Sequence, residues 1–101
     1  MAAPPTRIDA YIIETLLPDL VGGDRQPSAF IVYLYLWHRA SGSRRRPLAA
    51  SLQTIAIATG LSKSAVQRSV RTLLHRRLIK VRKVSPTAVP GYTVLRPWVR
   101  R

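Results

Sequence analysis

The chain has 101 residues, 47% of them apolar and none of them cysteine. That length supports one domain with a modest core, and the lack of thiols excludes disulfides, cysteine–metal sites and thiol catalysis, which suits a reducing compartment. The net charge is +13 and very uneven: Asp9, Glu14, Asp19 and Asp24 against Arg7 leave residues 1–24 at −3, while sixteen lysines and arginines without a single acid leave residues 25–101 at +16.

A surface so uniformly basic calls for a polyanionic partner, and nucleic acid fits better than an acidic membrane. The longest apolar run, residues 29–37, is too short to span a bilayer and is broken by tyrosines. The opening MAAPPTRIDA lacks the charged start and apolar stretch of a signal peptide. No membrane partner is expected, and the expected location is the cytoplasm, at the nucleoid.

In chain order, residues 1–6 read as a loose arm. Thr6 has the type and spacing of a helix cap, with Asp9 three residues on. Ile8, Tyr11, Ile12, Thr15 and Leu16 recur at helical spacing, and Pro18 is expected to end this helix before a turn over residues 20–23. Ile13 and Leu17 fall outside that face. Two arrangements satisfy a helix that is apolar on two sides: intrachain cover, or a homodimer through residues 8–17. Pro27 suits the first turn of a second helix, running to about Ala40. Its centre is apolar almost all round, so Tyr33, Tyr35 and Trp37 read as packing residues rather than base-stacking platforms. Residues 41–47 form a loop with Arg44, Arg45 and Arg46. A solvated charge run is one reading, and phosphate contact fits the surrounding basic surface better. Residues 48–50 can add a short strand to a small sheet.

Residues 51–59 (SLQTIAIAT) form a short amphipathic segment, followed by the turn Gly60-Leu61-Ser62. Ser62 is a helix N-cap, and the helix it opens is expected over residues 63–78. At about 100° per residue, Val66, Val70 and Leu73 share one face, with Leu74 at its edge. That face seals against Leu52, Ile55 and Ala56, where the small Ala56 permits close approach. Ser64, Arg68, Arg71, Thr72 and His75 lie opposite, flanked by Gln67 and Lys63. Arginine can fork onto guanine, glutamine can pair with adenine, and serine and lysine suit phosphates. Ser64, Gln67 and Arg68, in the first two turns, are the candidates for base readout. Arg71 suits either task. His75 and Arg76 are expected at phosphate or solvent.

Residues 79–84 (IKVRKV) alternate as a strand, with Ile79 and Val81 inward and Lys80 and Arg82 outward. Residues 85–91 (SPTAVPG) are a rigid turn without a positive charge, and residues 92–95 are the returning strand. Lys80, Arg82, Lys83 and Arg96, at the base of that turn, can flank phosphates. Trp98 can anchor the end of the chain, and Arg100 and Arg101 read as tail charge. Catalysis finds no support. The acids are few and N-terminal, His38 and His75 have no acid near them in sequence, and no phosphate-binding glycine loop or metal-ligand spacing occurs. His38 reads as a boundary residue. Neither an enzyme nor a cofactor or metal is expected.

Residues 51–95, with the motif SLQTIAIATGLSKSAVQRSVRTLLHRRLI, resemble the bacterial winged helix-turn-helix superfamily. The likeness covers small one-domain transcriptional regulators and the DNA-binding parts of replication initiators, and the helix at 27–40 fits the first helix of that fold. It implies a mainly α fold with a small β-hairpin, a winged helix-turn-helix with an additional N-terminal helix. The expected organisation is one domain over residues 1–101, with an acidic extension at 1–24, the core at 27–95 and a basic tail at 96–101. By the same likeness Ser62, Lys63, Ser64, Gln67, Arg68 and Arg71 inherit contacts to double-stranded DNA. Two positions depart from the pattern. Arg77 stands where a glycine often ends the recognition helix, and Ile57 stands where a polar residue is usual. A transcriptional regulator is the leading expectation. An RNA-binding or ribosome-associated protein, a replication-initiator module and a protein-interaction adaptor are the alternatives.

Overall fold

A computed structural model describes residues 5–41 and 47–99. Three α-helices carry the core: α1 (Pro27–Ala40), α2 (Leu52–Thr59) and α3 (Lys63–His75). Three short strands, β1 (Leu48–Ala49), β2 (Ile79–Arg82) and β3 (Gly91–Val94), form an antiparallel sheet in the order β1-β3-β2. The fold is thus mainly helical with a small sheet, and a further helical segment precedes α1.

The two helices after the sheet's first strand start where serine can cap them. Ser51 Oγ accepts the Thr54 N–H at 3.0 Å and Ser62 Oγ accepts the Ala65 N–H at 3.1 Å, each satisfying an amide that the helix leaves open. Between them Gly60 closes α2 with φ of 78°, a left-handed conformation that suits glycine, and its N–H reaches the Ala56 carbonyl at 2.9 Å. In the hairpin, Val81 faces Tyr92 and Arg82 faces Gly91. Gly91 also faces Ala49 of β1, and a β-carbon there would lie 2.9 Å from Pro47 Cβ, so the sheet's close edge needs a glycine.

Helix α1 runs through the middle. Ala29, Phe30, Val32, Tyr33, Leu36 and Trp37 are buried on it, which agrees with its nearly continuous apolar sequence. Ile55 of α2, Val66 and Leu73 of α3, Ile79 of β2 and Tyr92 of β3 complete one cluster. Ser69 is also fully buried, on the α3 face expected to be apolar. Its hydroxyl donates to the Ala65 carbonyl at 2.8 Å, which removes the penalty for a buried polar group.

The N-terminal region differs from its sequence reading. Thr6 does not cap a helix; its hydroxyl bonds the His38 ring. The helical segment covers residues 10–23 without a break, so Pro18 does not end it. Two π-helical turns, Ile12–Leu16 and Asp19–Gly23, widen the segment. The Leu17 N–H reaches back five residues to Ile12, as the Asp24 N–H does to Asp19. Pro18 has φ of −64°, already helical, and the wider turns around it accommodate its ring and missing N–H. The reversal falls instead at Asp24–Gln26, with Arg25 left-handed at φ of 54°. Ile12, Leu16 and Leu20 are the buried stripe, while Ile8 and Ile13 are 42% and 48% exposed. Leu17 packs against the core.

The end of the chain fastens this segment. Arg96 donates twice to Asp9 Oδ2, at 3.2 and 2.9 Å, and Trp98 Nε1 donates to the same oxygen at 3.0 Å. Trp98 stacks on Tyr11 with ring centroids 4.6 Å apart, and the Trp37 indole donates to the Arg7 carbonyl. Residues 96–99, read from sequence as the start of a basic tail, therefore include a docked arginine and tryptophan. Arg96 is committed to Asp9 rather than to the base of the hairpin turn.

Candidate nucleic-acid interface

Helix α3 presents one sealed side and one open side. Val66, Ser69 and Leu73 are buried, with Val70 and α2's Leu52 and Ala56 packed around them. Lys63, Ser64, Gln67, Arg68, Arg71 and His75 are all exposed on the other side. This division follows from the helical period of the sequence. Leu74, placed at the edge of the sealed face, is 40% exposed.

Among the described residues, no side-chain hydrogen bond engages Lys63, Gln67, Arg68, Arg71 or His75. Ser62 is occupied as the cap and lies 3.3 Å from the Ser64 hydroxyl. Lys80 and Arg82 project from the same face of β2 by the two-residue strand period and are exposed. Lys83 is exposed too, and its ammonium donates to the Pro86 carbonyl at 3.3 Å, bracing the turn between β2 and β3. Arg44, Arg45 and Arg46 lie outside the described residues.

The far end of α3 is built differently from its sequence reading. The helix ends at His75, three residues earlier than expected. The Leu78 N–H reaches the Leu73 carbonyl and the Arg77 N–H reaches the Leu74 carbonyl, the paired bonds of a Schellman ending. Arg77 holds the left-handed position at φ of 58°. Arg76, expected at phosphate or solvent, is part-exposed and has acidic partners within the fold. It pairs with Asp24 at 3.3 Å and Asp19 at 3.6 Å, so the acidic N-terminal segment abuts the end of α3.

Sequence reasoning missed a consequence of that contact. The turn at residues 24–26 stands off the outer face of α3 and leaves an open cleft of about 420 Å³. Gln26 lines one side and Arg68, Arg71, Thr72 and His75 line the other, with the Asp24–Arg76 pair also at its surface. Residues 26 and 68 to 76 are too far apart in sequence for any local pattern to join them. Ile57, the other departure noted in sequence, is 75% exposed on α2. Among the described residues, no group of three or more His, Cys, Asp or Glu could hold a metal ion, and no helix is long and apolar enough to cross a membrane.

Comparison with known families matches residues 26–79 to a helix-turn-helix domain. The match begins at the residue before α1, takes in α2, the Gly60 turn and α3, and stops at the first residue of β2. No curated protein and no solved structure matches the chain significantly. Matched over more than half its length, and carrying an antiparallel hairpin after the second helix of the motif with a short third strand from before it, the chain belongs to the helix-turn-helix domain family and has the architecture of its winged form, which points to DNA as the ligand.

Proposed function

We propose that the chain is a sequence-specific DNA-binding protein that inserts α3 into the major groove and acts as a transcriptional regulator. The observation that carries this reading is the open side of α3, where arginine, glutamine and lysine side chains without a partner among the described residues share one solvent face. An α-helix with side chains is about 10–12 Å across and the major groove is about 12 Å wide, so such a face fits the groove. Ser64, Gln67 and Arg68 reach base edges in this reading. Lys63, Arg71, Lys80, Arg82, Lys83 and the arginines Arg44, Arg45 and Arg46 hold phosphates. Ser62 fixes the start of the helix that carries them. The chain acts as one domain, with 27–95 as the DNA-binding core, and works at the nucleoid. It does so as a homodimer through residues 8–17, a face on which Ile8 and Ile13 remain exposed.

The test compares variants on a preferred duplex, selected from random sequences, and on a scrambled one. Arg68→Ala is expected to cost about 1–3 kcal/mol on the preferred site and to relax discrimination there, whereas Lys80→Ala weakens both duplexes alike. An Arg68→Ala loss of equal size on both duplexes would make Arg68 a phosphate contact and remove the assigned readout.

A further inference from the structure

The cleft between the 24–26 turn and α3 has no role in a helix that reads bases only through its first two turns. Its chemistry is that of an anion site. Gln26, Arg68, Arg71, Thr72 and His75 can all donate hydrogen bonds, and among the described residues none of their side chains has a hydrogen-bond partner. The cleft's one carboxylate, Asp24, is held by Arg76 at 3.3 Å, so its charge is offset. Gln26 precedes α1, yet its side chain makes no capping bond, which leaves its amide free.

We propose that this cleft seats a backbone phosphate of the bound duplex, extending the interface from α3 to Gln26 ahead of α1. The inference rests on the DNA-binding reading above. A helix about 10–12 Å across nearly fills a groove about 12 Å wide, so the phosphates that wall the groove run along the flanks of α3. The cleft runs from Arg68 and Arg71 on the outer face to Arg76 beside the 24–26 turn, along the path such a phosphate takes in this arrangement. A phosphate seated there accepts from the Arg71 guanidinium and the Gln26 amide together. These contacts fix the helix's register and carry no sequence information themselves.

The test is a thermodynamic cycle between residue and phosphate. Single phosphates of the tightest-binding selected duplex are replaced in turn by uncharged methylphosphonates, and affinities for the wild type, Gln26→Ala and His75→Ala are read by fluorescence anisotropy. Gln26→Ala is expected to weaken preferred and scrambled duplexes alike by about three- to tenfold, with an unchanged melting temperature. One methylphosphonate position is expected to weaken the wild type and to weaken Gln26→Ala by clearly less, because the two changes share the Gln26 contact while Arg71 still reaches that phosphate. His75→Ala is expected to couple to that same position. The proposal is overturned if both variants bind as the wild type does, or if every methylphosphonate loss adds in full to the variant's own. Arg68→Ala separates the two readings: lost discrimination beside a silent Gln26→Ala removes the cleft and leaves groove reading intact. A wild type that binds no duplex removes both.

Discussion

Arg77 occupies a backbone position that favours glycine. The Schellman ending of α3 needs a left-handed residue, and an L side chain there costs roughly 1–2 kcal/mol against glycine. Arg77→Gly is therefore expected to raise stability by about 0.5–1 kcal/mol, the remainder being offset by the greater freedom of glycine in the unfolded chain; a denaturant midpoint that falls would contradict this. Arg77 stands out in the sequence only through the family resemblance, where a glycine often ends the recognition helix; the helical period itself ran on past it. Ser62, by contrast, is marked as a cap by its own residue type and place. Ser69 left no such mark, since its burial depends on a hydroxyl turned back to Ala65. Tyr33 supplies a pH dependence. Burial, and then the nearby Asp9, raise its phenol above the ordinary value of 10.0, with Arg96 opposing; burial raises Tyr92 as well. Both phenols are protonated in folded and unfolded chains below about pH 9. Above about pH 10 the unfolded chain ionises first, so stability is lost as pH rises. Denaturant midpoints are expected to drop between roughly pH 9 and 11, and Tyr33→Phe to make that drop shallower. A wild-type midpoint that holds constant across the interval would contradict the assignment.

At the scale of elements, local pattern specifies α1, α2, α3 and the hairpin. Caps, periodicity and turn residues agree with one another there, and the largest boundary difference is at α3, which closes three residues early in its Schellman ending. The N-terminal segment was less legible because Pro18 and Gly22-Gly23 are breakers under a helical period of 3.6. The buried stripe Ile12, Leu16 and Leu20 instead steps by four residues, as a wider helix allows. The clasp of Asp9 by Arg96 and Trp98 joins opposite ends of the chain and has no local signature. It supplies intrachain cover for part of the apolar surface that sequence left open, since Trp98 stacks on Tyr11. Ile13 stays exposed, while Leu17 packs on the core. The dimer is therefore best tested with Ile13→Glu alone, because Leu17→Glu would also disturb packing. Sedimentation equilibrium is expected to give a dimer for the wild type and a folded monomer for Ile13→Glu. A wild-type monomer at tens of micromolar protein would end the dimer proposal.

For the whole molecule, the uneven charge acquires a physical layout. Three of the four acids are engaged within the fold, Asp9 by Arg96 and Asp19 and Asp24 by Arg76. They offset cations away from the first two turns of α3 and leave Lys63, Arg68, Arg71, Lys80 and Arg82 without acidic partners among the described residues. The sign and size of the charge were plain in the sequence. Its arrangement was not, because it depends on contacts between distant segments. This layout is expected to grip the phosphates of duplex DNA, and the salt dependence of binding tests that grip. Each phosphate neutralised releases counterions and contributes about −0.9 to the slope of log affinity against log salt, so about five contacts predict a slope of roughly −4 or steeper. Titration of a labelled duplex by fluorescence anisotropy across a salt series is expected to show that slope. A flat response, or tighter binding to RNA than to every duplex tried, would contradict the account.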